Sequence, residues 1–414
     1  MKSEVTKRNG VINTGRYMTL QLFGTDLRGD KLVMKILYMA TYSGISGASH
    51  SLINIILQMK KKGIEPVLII PHRGPLEKKL KENNIEYKWI TQYYWIVDRD
   101  KPKTFKDSFK WILKQTINFI QELRIYYIIK RKKINLVHIN AITSSNGYLA
   151  AKLSKIPLVW HIREFLEEDL NRDFRNRNKA ISKLNKADSI ITVSDSVKNK
   201  YNRILSNENL IRVYNGVDTN NYIHLKHDLF EKEDIILTLV GRYVPQKGHL
   251  EVIYALNKII KDYKKVIKIK VYGDDRDKTF LNELKSIVEK LELDEYIDFM
   301  GYRSDIHNVW AETDIALVTS KAEAFGRVTI EAMLAGALVI GADTAGTAEL
   351  ISNKYGLLYK QGDYSSLAEK IIFVINNKEE MKEVALLSRN YALENFTATE
   401  NADNIYQVYR KLLN

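Results

Sequence analysis

The chain has 414 residues, 45% of them apolar, which is enough for two α/β domains of ordinary size. It contains no cysteine, which excludes disulfides and thiolate metal centres and suits a reducing cytoplasm. No run of about 18 uncharged apolar residues occurs, so no membrane-spanning helix is expected, and Met1-Lys-Ser-Glu-Val-Thr-Lys-Arg8 lacks the apolar core of a signal peptide.

Residues 1–33 are polar and unpatterned, and read as a disordered extension or the product of an upstream start codon. Met34–Ala40 then reads as a first strand. The loop Ser43-Gly-Ile-Ser-Gly-Ala-Ser49 follows it, where the small residues Gly44 and Gly47 let backbone amides approach a phosphate or sugar at the next helix start. A helix over Ser49–Lys62 and a strand over Pro66–Ile70 come next. The formal charge of +14 is concentrated beyond this point, with 19 Lys/Arg against 8 Asp/Glu between Lys60 and Lys133. Trp111–Ile120 carries an apolar stripe at helical spacing, and Lys130-Arg-Lys-Lys133 closes a following helix. Basic helices with aromatics suit an anionic membrane surface. No nucleic-acid motif accompanies the charge, so nucleic acid is not an expected partner. Strands at Leu136–Asn140, Leu158–His161 and Ser189–Val193 complete a doubly wound parallel sheet. His161-Ile-Arg-Glu164 follows the second of these three strands, and Ser194-Asp-Ser196 has the form of a helix N-cap.

Asn215-Gly-Val-Asp218 has turn chemistry suited to a linker. A second α/β set begins near Asp234, with strands at Ile235–Val240, Val266–Val271, Tyr296–Met300, Ile315–Thr319 and Leu338–Ile340. The first of these runs into Gly241-Arg-Tyr-Val-Pro-Gln-Lys-Gly248, which places two cations, Arg242 and Lys247, at a strand's carboxyl end. Charge building on a departing diphosphate requires such groups. Asp274-Asp-Arg-Asp277 is the one tempting acidic cluster, but its position after Gly273 suits a loop over a nucleotide better than a metal site. Glu323-Ala-Phe-Gly-Arg-Val-Thr-Ile-Glu331 sets two carboxylates across a strand-to-helix turn, where open α/β sheets bind ligands. A carboxylate there can accept both hydrogen bonds of a vicinal diol. Gly336 stops the helix, and a last helix spans roughly Ala402–Leu413.

Ala322–Met333, with Gly336–Gly341 and Gly346-Thr-Ala-Glu349 after it, resembles the signature of the retaining GT-B glycosyltransferases of family four (glycosyl transferases group 1). The Gly241–Gly248 loop resembles that family's G-R-x(3,4)-K-G, and Asn215–Asp218 its NGVD at the interdomain link. The resemblance implies two Rossmann-like domains facing a cleft and metal-independent, retaining hexosyl transfer from a UDP- or GDP-sugar, with no other cofactor. By the same resemblance Glu331 holds the ribose, and Glu323 holds the donor sugar with the backbone of Phe325, Gly326 and Arg327. Arg242 and Lys247 hold the diphosphate, Tyr302 and Arg303 neighbour the base, and His161 approaches the sugar. Ser43 stands where the family has a first glycine before Gly44.

The expected organisation is an extension over 1–33, an acceptor-binding domain over 34–212, a linker over 213–233, a nucleotide-sugar domain over 234–395, and a helix over 396–414 returning to the first domain. The basic aromatic segment points to a lipid-linked or polysaccharide acceptor at the inner face of the cell membrane, as in bacterial surface-polysaccharide assembly. Two other readings use the same fold: a nucleotide-sugar epimerase, which needs no acceptor, and a non-catalytic nucleotide-sugar-binding accessory subunit.

Overall fold

The computed structural model describes residues 33–101, 104–206, 208–225, 228–232, 234–274 and 278–414. The expected extension, apart from Val33, and residues 275–277 of the Asp274–Asp277 cluster lie outside them. Nine strands fall in the first half: β1 (Lys35–Met39), β2 (Glu65–Ile70), β3 (Glu86–Trp89), β4 (Ile96–Asp98), β5 (Leu136–Ile139), β6 (Leu158–Ile162), β7 (Arg172–Phe174), β8 (Ser189–Thr192) and β9 (Leu210–Arg212). Six follow: β10 (Ile236–Val240), β11 (Lys268–Tyr272), β12 (Ile297–Gly301), β13 (Ile315–Val318), β14 (Leu338–Ala342) and β15 (Leu357–Tyr359).

The first sheet has the order β3-β2-β1-β5-β6-β8-β9 and the second β12-β11-β10-β13-β14-β15, with every pairing parallel. Helices cover both faces, so the central strands are apolar on both sides: Leu37, Val137 and Trp160 pack into one core, and Ile36, Leu136 and Val159 into another. In each sheet the strand order reverses once at an inner pair, β1/β5 and β10/β13. The crevice outside the carboxyl ends at such a reversal is where doubly wound sheets hold ligands.

The strands the sequence pattern did not reveal are β3, β9, β15 and the antiparallel ribbon β4–β7. Those three end or border the sheets and carry exposed or half-exposed residues, which blunts the apolar signal. The ribbon pairs segments over 70 residues apart, which no local pattern encodes. The expected break between two helices after Ile120 is absent. One helix runs over Phe105–Lys132, opened by a Thr104/Asp107 capping box and closed at Lys133 in the left-handed region. Its buried side is Asn118, Glu122, Ile125 and Ile129.

The last helix spans Ala398–Leu413 and packs Ile405, Tyr406, Val408 and Tyr409 against Ile36, Tyr38, Leu52 and Ile56 of the first half. Its entry is pinned where Val217 forms a parallel bridge with Thr397, through Val217 N–H to Phe396 O at 2.8 Å and Ala398 N–H to Val217 O at 2.9 Å. Gly216 makes this crossing possible, because a Cβ there would lie 2.4 Å from Thr397 O and 2.6 Å from Ala398 Cα. Both neighbours are backbone and cannot rotate away. Gly216→Ala is therefore expected to cost about 2–3 kcal/mol, measured by urea unfolding, and to loosen the last helix in hydrogen exchange.

Candidate active site

Lys247 and Glu323 stand on loops that leave adjacent inner strands of the second sheet. After β10, Pro245–Lys247 makes one 3-10 turn ended by Gly248 at φ +72°. A side chain at Gly248 would meet Thr319 O at 2.1 Å, so glycine is required for this loop to lie against β13. Thr319 Oγ1 donates to Lys247 O at 2.8 Å and Lys321 N–H to Gln246 O at 2.9 Å, which join the two loops. After β13, Gly326 turns the chain into the helix Arg327–Ala335 at φ +92°.

The joined loops bring Lys247 Nζ within 2.5 Å of Glu323 Oε1, each side chain 18% exposed. Ser320 Oγ donates to the same oxygen at 2.7 Å. Glu323 Oε2 is thus left for another donor, and two of the three Lys247 protons for another acceptor. Burial alone pushes the Glu323 carboxyl up, but the adjacent Lys247 ammonium and the Ser320 hydroxyl outweigh it and hold it below the usual carboxylate range. Burial likewise works against the Lys247 charge, and Glu323 and Asp169 reverse that. Arg242 is exposed at the mouth of the same cluster.

Glu331 is buried one turn into the helix and accepts Arg327 Nε at 2.6 Å through Oε1. Arg327 reaches toward the first half: its Cδ would lie 3.9 Å from a Cβ at Gly47, and its charge acts on His50, whose pKa is lowered to about 4, mainly by burial. Gly47 thus faces the E-x7-E segment across the cleft. Gly44 admits the Tyr42 ring, which a Cβ would strike at 2.3 Å. Phe325 is buried, with its ring beside Tyr214 and Phe396. Tyr302 and Arg303 follow β12, both exposed, with Arg303 paired to Asp305 at 2.6 and 2.8 Å.

His161 departs from expectation. It lies within β6 rather than beyond its end, and it is fully buried. The alternation of β6 turns it to the face covered by the last helix, where Tyr409 OH contacts His138 Nδ1 at 2.6 Å and His138 Nε2 contacts His161 Nδ1 at 3.3 Å. Burial keeps both imidazoles neutral, His138 with a pKa near 3 and His161 well below its ordinary value. Arg163, two residues on, bonds Asn140 at 2.9 Å and Asn215 of the linker at 2.5 Å. Glu164 accepts the N–H of Arg163 at 3.2 Å and of Ile142 at 3.4 Å, and burial raises its carboxyl to about 7.

Two further residues bond across the halves, and the charge of a third acts across them. Ser194 caps its helix as expected, and its hydroxyl also donates to Ala324 O at 2.5 Å. Glu349, from the segment Gly346–Glu349, accepts Asp195 N–H at 2.8 Å and Ser196 N–H at 3.0 Å, so a carboxylate of the second half caps a helix of the first. The third is Asp169, whose charge is felt by Lys247 and which in turn feels Lys247, Glu323 and Arg242. In sequence it sits in Glu167-Glu-Asp169, which looks like an ordinary solvated acidic run. Among the described residues no group of three or more His, Asp or Glu could hold a metal ion.

Two family models divide the chain between them: Glycosyltransferase Family 4 over residues 45–221 and Glycosyl transferases group 1 over residues 223–389. The chain belongs to the group 1 glycosyltransferases. An uncharacterized glycosyltransferase of Methanocaldococcus jannaschii is 27% identical over 292 residues, 69% of this chain and 78% of that protein. The UDP-Gal:alpha-D-GlcNAc-diphosphoundecaprenol alpha-1,3-galactosyltransferase of Escherichia coli is 24% identical over 324 residues, 72% of this chain and 81% of that protein. Anabaena HepE, solved in complex with UDP-glucose, superposes with a TM-score of 0.74 at 22% identity, covering 92% of this chain and all of that one. The fold is GT-B, two doubly wound α/β domains.

The Lys247–Glu323 pair gives a test that needs no substrate. Lys247→Met leaves a buried carboxylate without its counter-charge, which costs about 3 kcal/mol at pH 8. Without Lys247, burial raises the Glu323 pKa above its unfolded value, so protonation relieves the variant as pH falls. The stability gap to wild type should therefore be widest at pH 8 and narrow toward pH 5, read by urea unfolding at both.

Proposed function

We propose that this glycosyltransferase moves a hexosyl group, with retention of configuration, from a nucleotide-sugar to a hydroxyl of a lipid-linked or polymeric glycan during bacterial surface-polysaccharide assembly. The observation that carries the reading is the Lys247–Glu323 pair at the strand-order reversal, with one carboxylate oxygen and two ammonium protons still unused. Glu323 Oε2 takes a donor-sugar hydroxyl, aided by backbone amides from Phe325 to Arg327. Lys247 and Arg242 take the diphosphate and meet the charge that grows on it as the glycosidic bond breaks. Two fixed cations supply that charge stabilisation from protein groups, which supports metal-independent transfer. Glu331 takes the ribose hydroxyls through its free oxygen, Gly44 and Gly47 let the opposite loop close on the diphosphate, and the base lies near Tyr302 and Arg303. UDP is the first nucleotide to try, since the E. coli relative is named for UDP-galactose and HepE was solved with UDP-glucose.

The acceptor side supports a membrane-borne substrate. The helix Phe105–Lys132 has a second apolar face besides the buried one: Phe105, Phe109, Ile112, Leu113, Ile120, Leu123 and Tyr127 recur at helical spacing and are all exposed, Phe105 at 88%. Lys106, Lys110, Lys114 and Arg124 flank that stripe. Among the described residues no helix is long and apolar enough to cross a membrane. An exposed aromatic stripe beside a basic edge is the form of a helix lying in an anionic lipid interface.

Nucleotide release from UDP- and GDP-sugars, with EDTA present, tests the chemistry. One donor should be turned over, and Glu331→Ala should raise its KM or lower kcat/KM at least 20-fold. A released sugar altered at one carbon without transfer would instead mark an epimerase, and nucleotide binding without turnover an accessory subunit. For the membrane, the protein should sediment with phosphatidylglycerol vesicles and not with phosphatidylcholine ones. Phe105→Glu combined with Phe109→Glu should cut that binding at least tenfold while leaving the unfolding transition in place, because neither ring is packed.

A further inference from the structure

The charges around the candidate site form a balanced group of four. Lys247 and Arg242 come from the second sheet with Glu323, and Asp169 comes from the first half, on the turn over residues 166–170 that follows β6. That turn is held against the second half through one shared core, in which Phe165 and Leu166 of the first half lie with Ala324 and Phe325 of the second. Tyr201 OH, from the helix whose Ser194 reaches Ala324, donates to Glu164 O at 3.4 Å at the start of the turn. Asp169 is therefore carried by a turn anchored in the shared core, within electrostatic reach of Lys247, Arg242 and Glu323.

The three acidic neighbours on this turn are all satisfied. Glu164 accepts two backbone N–H groups, while Glu167 and Glu168 both pair with Lys200, whose ring neighbours are Phe165 and Tyr201. No hydrogen bond reaches the Asp169 carboxylate among the described residues, although the residue is partly buried, and the cations whose charge it feels, Lys247 and Arg242, also act on Glu323. A half-buried carboxylate without a donor is an unusual expense in a folded protein, and it is most simply met by a hydroxyl that arrives with the substrate.

We propose that Asp169 binds the acceptor's attacking hydroxyl and aims its oxygen at the donor's anomeric carbon. The inference rests on the transferase reading and names the acceptor-side group of the same site. In the transfer step the acceptor oxygen bonds to the anomeric carbon as the carbon–phosphate oxygen bond breaks. The electron pair of that bond leaves with the nucleoside diphosphate, and the acceptor proton passes to the departing phosphate oxygen. Asp169 accepts a hydrogen bond throughout and keeps no proton at the end. Its position in the first half fits the division of labour, since the donor groups Glu323, Glu331, Arg242 and Lys247 all belong to the second.

The competing explanation is that Asp169 only balances Lys247 and Arg242 while the site is empty, and the two differ in sign. Asp169→Asn is compared with wild type by UDP calorimetry and by turnover of the donor the wild type uses, with water alone and with GlcNAc-diphosphoundecaprenol as acceptor. The proposal expects turnover to fall at least 30-fold with water as acceptor, UDP affinity to stay equal or rise, and Asp169→Glu to recover at least a tenth of the activity. Turnover within threefold of wild type overturns it and leaves charge balance. A fall in UDP affinity of fivefold or more also overturns it, because the residue would then serve the donor or the fold. A wild-type protein that binds UDP but releases none from any donor fails the transferase reading itself, before any variant is made.

Discussion

The cleft depends on one ion pair held in a constrained place. Lys247 and Glu323 stand on loops from neighbouring strands, and the loops lie together only because Gly248 lets Thr319 O come within the space a side chain would fill. Desolvation opposes both charges, so each needs the other to stay ionised. Trading either for an apolar residue would leave the other buried without its counter-charge. The pair is thus less a source of net stability than a device for keeping a carboxylate and an ammonium in fixed positions with bonding capacity unspent. Fixed dipoles and charges that need no rearrangement when the transition state forms are what electrostatic catalysis requires.

The contact between the halves follows the same economy. Glu349 supplies the acceptor for two N–H groups at the start of the helix Asp195–Asn202, and Ser194 returns a hydroxyl to Ala324 O, next to Glu323. On the far side, the bridge at Val217 and Thr397 and the Arg163–Asn215 bond tie the linker to both the last helix and the end of β6. These polar, directional contacts sit beside the apolar core that the two halves share through Phe165, Leu166, Ala324 and Phe325. Such an arrangement fixes the register of the two sheets while leaving few bonds to break if the cleft changes width.

The inner strands and the second-half site were legible because their signals are local. A buried parallel strand is a short β-branched run, and the E-x7-E segment carries its glycine turn, its helix and both carboxylates within nine residues. Edge strands such as β3 were hidden by their own exposure, and β4–β7 by the distance between its partners. The stripe Trp111–Ile120 was visible, but its meaning was not, since periodicity says that a face is apolar and not what covers it. His161 shows the converse: a histidine near a strand end suggests a ligand, yet strand alternation sets it beside His138, which in turn contacts Tyr409. Asp169 was lost in an acidic run, because nothing in Glu167-Glu-Asp169 distinguishes the one carboxylate that is not paired to Lys200.

The balance of the four charges also bears on the order of events. In the empty cleft Lys247 and Arg242 lower the pKa of Asp169, while burial, Glu323 and Glu168 raise it, and the net shift is upward. A bound diphosphate would take up the two cations, which are the groups that make Asp169 a poor hydrogen-bond acceptor. The carboxylate would then become more basic and would hold a hydroxyl more strongly than it does beside free cations. Donor binding would in this way prepare the acceptor side through charge alone, with no movement of the turn over residues 166–170.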